Sequence, residues 1–276
     1  MKCAWQELLQ ILPPWLRKEL DTKHPDGLSE IRLRIGQPPL FTGREQFPKI
    51  PRDVLGEDLG YIINGASRYS PWAAATMSQG YLTAPGGHRI GICGNVVLKN
   101  GTLDGIRTVR SLCLRVAKDY EGIAKGIPKD CSVLIAGPPG AGKTTLLRDL
   151  IRQRSNQNHG SISVVDERGE LFPSGFQTGT NTDILTGSSK RDGILLLLRT
   201  MGPGTIAVDE VTEEADLMAL ANAAGCGVRL LATAHGRSLK DMKQRPIYRK
   251  LFEQGIFDAF VILQEDKSWR TERICV

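Results

Sequence analysis

Residues 137 to 144 read Gly-Pro-Pro-Gly-Ala-Gly-Lys-Thr, the spacing G-x-x-x-x-G-K-[ST] of a loop that wraps phosphates. Glycines at 137, 140 and 142 free the backbone to curl, so that successive amide hydrogens face inward. A helix starting near Gly142 aims its positive end at the same point. Lys143 is expected to reach the β and γ phosphates of a nucleoside triphosphate and Thr144 to ligate magnesium, which makes ATP and Mg2+ the expected cofactors. The nucleotide cradle is Gly137, Pro138, Pro139, Gly140, Ala141, Gly142, Lys143, Thr144 and Thr145. A glycine-rich turn before a solvated lysine is the plainer alternative. The flanks argue against it: Cys131-Ser-Val-Leu-Ile-Ala136 has strand composition, and Thr145-Leu-Leu-Arg-Asp-Leu-Ile-Arg152 is amphipathic.

Three further polar groups close apolar runs downstream. Residues 205 to 208 lead into Asp209-Glu210, where Asp209 is placed to hold the metal and Glu210 to accept a proton from attacking water. The alternative is a pair of acids capping the helix predicted over Glu213 to Ala224. Residues 161 to 165 lead into Asp166-Glu167-Arg168-Gly169-Glu170, whose carboxylates suit the positioning of water or of the metal's outer shell. Glu167 is the second candidate base, and a charged turn is the alternative. Residues 228 to 234 deliver His235 in Thr233-Ala-His235-Gly236, within reach of a γ-phosphate or the catalytic glutamate, unless it is an ordinary satisfied polar residue.

The elements that position these groups change character along the chain. From residue 131, apolar strands at 131–136, 161–165, 205–208, 228–234 and 259–263 alternate with helices, the pattern of a mostly parallel sheet that binds ligands at its carboxyl edge. Before it, Trp5 to Leu20 is split by Pro13-Pro14 into two short helices, and Ser29 to Ile35 alternates like a half-buried strand. A helix is expected over about 53–65, a hairpin around Gly86-Gly87 and a strand over Ser111 to Ala117. The connector Tyr120 to Asp130 sets a boundary between an α+β domain, 1–120, and a motor domain, 121–276.

Composition bounds the setting. The 276 residues are 41% hydrophobic and 24% charged, enough to bury a sizeable core. No run approaches the roughly 18 to 20 apolar residues that span a bilayer, and Met1-Lys-Cys-Ala-Trp-Gln-Glu-Leu-Leu lacks the apolar centre of a secretory signal. Six scattered cysteines form no C-x-x-C pair and fit a reduced cytoplasm. The net charge is +6, densest from Arg237 to Lys250, where a solvated face is expected and nucleic acid, anionic lipid or an acidic neighbouring subunit are the alternatives. A nucleic-acid translocase needs stacking platforms, and aromatics at 6% argue against one. A scaffold that binds ATP without turning it over is the other rival.

The phosphate loop, the acidic box, Leu198-Arg-Thr-Met-Gly-Pro203 leading into Asp209-Glu210, and Thr-Ala-His-Gly together resemble the secretion ATPases of type II and type IV systems. Ser29-Glu-Ile-Arg-Leu-Arg-Ile-Gly-Gln-Pro-Pro39 and the strand Ser111 to Ala117 are similar to the N-terminal domain of that superfamily. Within it the chain looks most like the compact stage III AA sporulation branch. Gly204 stands where an Asp commonly follows the proline, and Thr212 where a Gly commonly follows the acidic pair. The resemblance implies a RecA-like P-loop NTPase domain and a hexameric, cytoplasmic ATPase. It also implies action on a membrane-embedded secretion or channel apparatus, with a membrane protein and further copies of itself as partners and no nucleic acid. Family arginines reach a phosphate across a subunit or domain boundary, and Arg115 and Arg199 are the matching positions.

Overall fold

The computed structural model describes residues 2–21, 27–43, 47, 49–67, 77, 80–99, 101–157, 160–173 and 175–273. The chain divides into two units, Met1–Asp119 with Pro173–Phe176, and Tyr120–Phe172 with Gln177–Val276.

The first unit is an antiparallel sheet backed by helices. Pro13 ends one helix and Pro14 opens the next, giving α1 (Trp5–Ile11) and α2 (Pro14–Leu20); α3 is Gly56–Ser67. Five strands, β1 (Leu28–Arg34), β2 (Leu40–Gly43), β3 (Tyr81–Thr83), β4 (Arg89–Lys99) and β5 (Thr102–Arg115), lie in the order β2-β1-β5-β4-β3. Alternation decides the buried face: Ile31, Leu33, Ile90, Ile92, Leu112 and Leu114 join Leu8, Leu9, Leu16 and Ile62 of the helices in one core. The turn between β3 and β4 falls at Pro85–Gly87, as the glycine pair predicts. β5 runs well beyond the expected strand and pairs with β4 along almost its whole length.

The second unit is a seven-stranded sheet in the order β12-β11-β6-β10-β9-β7-β8. Its parallel centre comprises β6 (Val133–Gly137), β7 (Ile162–Asp166), β9 (Thr205–Val208), β10 (Arg229–His235) and β11 (Ala259–Leu263), each within a residue or two of its expected position. These strands are buried on both faces, which is why they read as unbroken apolar runs. One face packs on α4 (Lys143–Asn156) through Val133, Ile135, Leu147 and Ile151. The other packs on α5 (Lys190–Thr200), α6 (Glu214–Gly225), α7 (Leu239–Gln244) and α8 (Pro246–Glu253) through Ile194, Leu220, Met242 and Leu251. The edges, parallel β8 (Thr182–Thr186) and antiparallel β12 (Trp269–Arg273), are additions to the sequence reading.

Candidate functional site

Register brings the motifs to one edge. His235 of β10 stands opposite Gly137 of β6, while Ala232↔Val208 and Val165↔Val208 carry Thr233, Asp209 and Asp166 to the carboxyl ends of three adjacent strands. The phosphate loop follows β6 at the same edge, with Gly140 at φ +76° and Gly142 at φ +102°. Neither has any atom within 4 Å of where a Cβ would stand, so the constraint there is backbone conformation, and glycine meets it without strain. Gly142 caps α4, whose first residue is Lys143.

Lys143 is buried and donates from Nζ to the carbonyl of Pro138 and to Nδ1 of His235, each at 3.1 Å. Burial pushes its ammonium below the usual lysine range, against the opposing pull of Asp209 and Glu210. Accepting that hydrogen bond at Nδ1 leaves Nε2–H as the donor of His235, and Nε2 lies 2.7 Å from Oε1 of Glu210. Thr144 donates from Oγ1 to Oδ2 of Asp209 at 2.7 Å. Thr233 donates to the other carboxylate oxygen of Asp209 at 2.5 Å and accepts the backbone N–H of Glu210 at 2.8 Å. One hydroxyl therefore orients both acids.

Asp209 and Glu210 are not a helix cap. The N-cap of α6 is Glu213, which forms a capping box with Asp216, and Glu210 stands before it at φ +50°. The acidic box divides into two jobs. Asp166 is buried and accepts the backbone N–H groups of Glu170, Leu171 and Phe172 at 2.9, 2.9 and 3.2 Å, so it shapes the loop after β7. Burial pushes its carboxyl up; the N–H groups of Phe172 and Leu171 and the charge of Arg148 oppose the rise, and nearby Asp209 adds to it. Arg148 of α4 ties the same loop down through the carbonyls of Leu171 and Glu170. Glu167 is half exposed and pairs with Lys190 at 2.6 Å. A cleft lined by Glu167, Lys190, Asp209, Glu210 and Thr212 joins the two acidic groups.

Arg199 is exposed in the last turn of α5. Arg115 ends β5 in the first unit, 66% exposed and 3.8 Å from Glu30. Pro139 and Gly140 form the exposed tip of the loop, and Thr145 is half-buried in the first turn of α4. The basic segment is largely self-satisfied. Arg245 pairs with Asp241 at 3.1 Å, Lys250 with Glu214, Arg249 donates to the Lys243 carbonyl, and Lys243 covers the Phe252 ring.

Four contributors escaped sequence reasoning: Thr233 as a bridge, Lys190, Arg148 and Tyr248. Buried Tyr248 of α8 donates its hydroxyl to the Val211 carbonyl and accepts the His235 backbone N–H, both at 3.3 Å. Only Thr233 carried a signal, its place inside the Thr-Ala-His-Gly run.

Residues 3–273 match the family described as sporulation stage III, protein AA. The chain is 33% identical to stage III sporulation protein AA of Bacillus subtilis over 95% of this chain and 92% of that one. Among solved structures, the ATPase DotB of Legionella pneumophila aligns with a TM-score of 0.61 at 17% identity, covering 95% of this chain and 80% of that chain. The pilus retraction motor PilT, solved with bound ADP, aligns with a TM-score of 0.62 at 16% identity over 93% and 77%. The fold is shared with both of these structures.

Proposed function

The chain belongs to the sporulation stage III protein AA family, and from that premise we propose that it is a magnesium-dependent ATPase acting as a ring, a homohexamer, on a membrane-embedded secretion or channel apparatus during sporulation. Residues 121–276 are the motor domain and 1–120 the N-terminal domain it moves against. The protein works in the cytoplasm, at the membrane through a protein partner.

The 2.7 Å hydrogen bond from Thr144 to Asp209 carries this reading, because it joins the phosphate-loop hydroxyl to the carboxylate at the end of β9. A hydroxyl and a carboxylate are oxygen donors suited to a hard cation, so Thr144 and Asp209 fit magnesium. When bound, the ion neutralises phosphate charge. Lys143 supplies a fixed positive charge beside the loop, and its burial strengthens any contact to phosphate. Glu210, which lines the cleft, accepts the proton of the attacking water on the carboxylate oxygen that His235 does not hold. Glu167 supports the water from the opposite wall, and Arg115 and Arg199 complete the site from a neighbouring domain or subunit.

The test is steady-state phosphate release by the purified protein, with and without magnesium, alongside its mass in the presence of a slowly hydrolysed ATP analogue. Magnesium-dependent turnover by a hexamer supports the proposal. Nucleotide binding without turnover would leave a scaffold, and turnover by a monomer would remove the ring.

A further inference from the structure

β4 and β5 outrun the sheet that holds them. β3 pairs with β4 only as far as Gly91 and β1 pairs with β5 only from Ser111, so from Gly94 to Val109 the two strands form a ribbon with no further strand on either edge among the described residues. Two strands alone are marginally stable in water. This ribbon is also apolar near its tip: Val96, Val97 and Leu98 are 56%, 37% and 63% exposed. Three consecutive exposed apolar residues are uncommon on a soluble surface. Val97 stands opposite Gly105, which offers no side chain to cover it.

The register slips three times along the ribbon, and each slip leaves one residue of β5 unopposed: Arg110, Arg107 and Asp104. Such bulges twist a strand and spoil its edge as a template for another strand, the more so when charges sit on it. That argues against strand addition by a second copy. Exposed Lys99 lies beside the apolar run and exposed Arg110 stands at the root of the ribbon, so the two strands present three cations here, Lys99, Arg107 and Arg110, and one acid, Asp104. Apolar side chains rimmed by cations complement an interface of hydrocarbon beneath anionic headgroups. The open backbone edges keep the ribbon at headgroup depth, where water still reaches them.

We infer that the β4–β5 ribbon binds an anionic lipid surface directly, with Val96 and Leu98, which share one face of β4, entering the interface and Lys99, Arg107 and Arg110 holding the headgroups. The contact is independent of nucleotide chemistry. Sedimentation with vesicles of phosphatidylglycerol and phosphatidylcholine, against pure phosphatidylcholine, tests it on the full chain. The protein should pellet only with the anionic vesicles and release as salt rises. Arg107→Ala with Arg110→Ala should weaken binding about fivefold per cation removed. Val96→Ser with Leu98→Ser should abolish it while thermal unfolding is unchanged, and Lys143→Ala should bind like the parent, which separates this contact from the ATPase reading. Failure to pellet with anionic vesicles overturns the inference. So does unaltered binding by both double variants, or a serine variant that loses mass in solution yet still sediments, which would assign the ribbon to a second copy of the chain.

Discussion

Glu210 holds its backbone at φ +50°, a region few non-glycine residues occupy. Its N–H bond to Thr233 and its carboxylate bond to His235 keep it there. Strained positions of this kind persist where the surroundings over-determine them, and at catalytic sites the strain sets orientation. Glu210→Gln keeps size and hydrogen bonding but removes the proton acceptor. ATP should still bind, measured by fluorescent-nucleotide titration, while phosphate release falls about a hundredfold or more. Glu167→Gln, which disturbs a half-exposed pair with Lys190, should cost less than tenfold. The reverse ranking would move the base to Glu167. Lys143→Ala removes the charge buried beside the loop and should abolish nucleotide binding with the fold intact by circular dichroism; parental turnover would sink the whole reading. Lys143 was legible in the spacing of the phosphate loop, and Asp209, Glu210 and His235 because they follow apolar runs and strand ends converge. The bridge made by Thr233 was not, because it depends on the register of β9 against β10.

The same contrast holds for elements. Buried parallel strands announce themselves as apolar runs, whereas β8, Thr-Asp-Ile-Leu-Thr, and β12, Trp-Arg-Thr-Glu-Arg, lie at edges where one flank needs no apolar cover. Within the basic segment Arg237 to Lys250, nothing in the sequence announced that Tyr248 of α8 would reach back to two strand ends. That hydroxyl ties Val211, just after Glu210, to His235. Tyr248→Phe removes both bonds and should therefore lower kcat by about thirtyfold, the worth of about two hydrogen bonds, with KM unchanged; a rise in KM alone would make Tyr248 a packing residue. In the first unit, His88 is fully buried, accepts the Ala117 N–H at Nδ1 and faces the Ala4 carbonyl at 2.9 Å through Nε2. Burial pushes its pKa down, partly opposed by the Ala4 carbonyl and Glu7. The folded state then resists a proton that the unfolded chain takes up near pH 6.5. Stability is fully present above that pH and falls as pH drops below it. Urea midpoints at descending pH should show this slope, and His88→Gln should flatten it.

At the scale of the molecule, the two units carry complementary parts of the proposed machine. The second holds the phosphate loop and both candidate bases, and of the two arginines expected to meet the developing charge it carries Arg199, exposed at the end of α5. Arg115 belongs to the first unit and lies 3.8 Å from Glu30, an exposed contact of little strength. An arginine that acts from a neighbour is felt mainly in the transition state. Specific activity should accordingly rise with protein concentration, and Arg115→Ala or Arg199→Ala should depress turnover far more than ATP affinity. Mixing sharpens the point. Subunits carrying the arginine substitution keep a sound phosphate loop, and Lys143→Ala subunits keep the arginine, so each supplies what the other lacks at a shared boundary. Partial recovery of phosphate release on mixing two inactive preparations places the arginine across a subunit interface. If activity is independent of concentration and the mixture stays inactive, the chain works as a monomer and the ring must be abandoned.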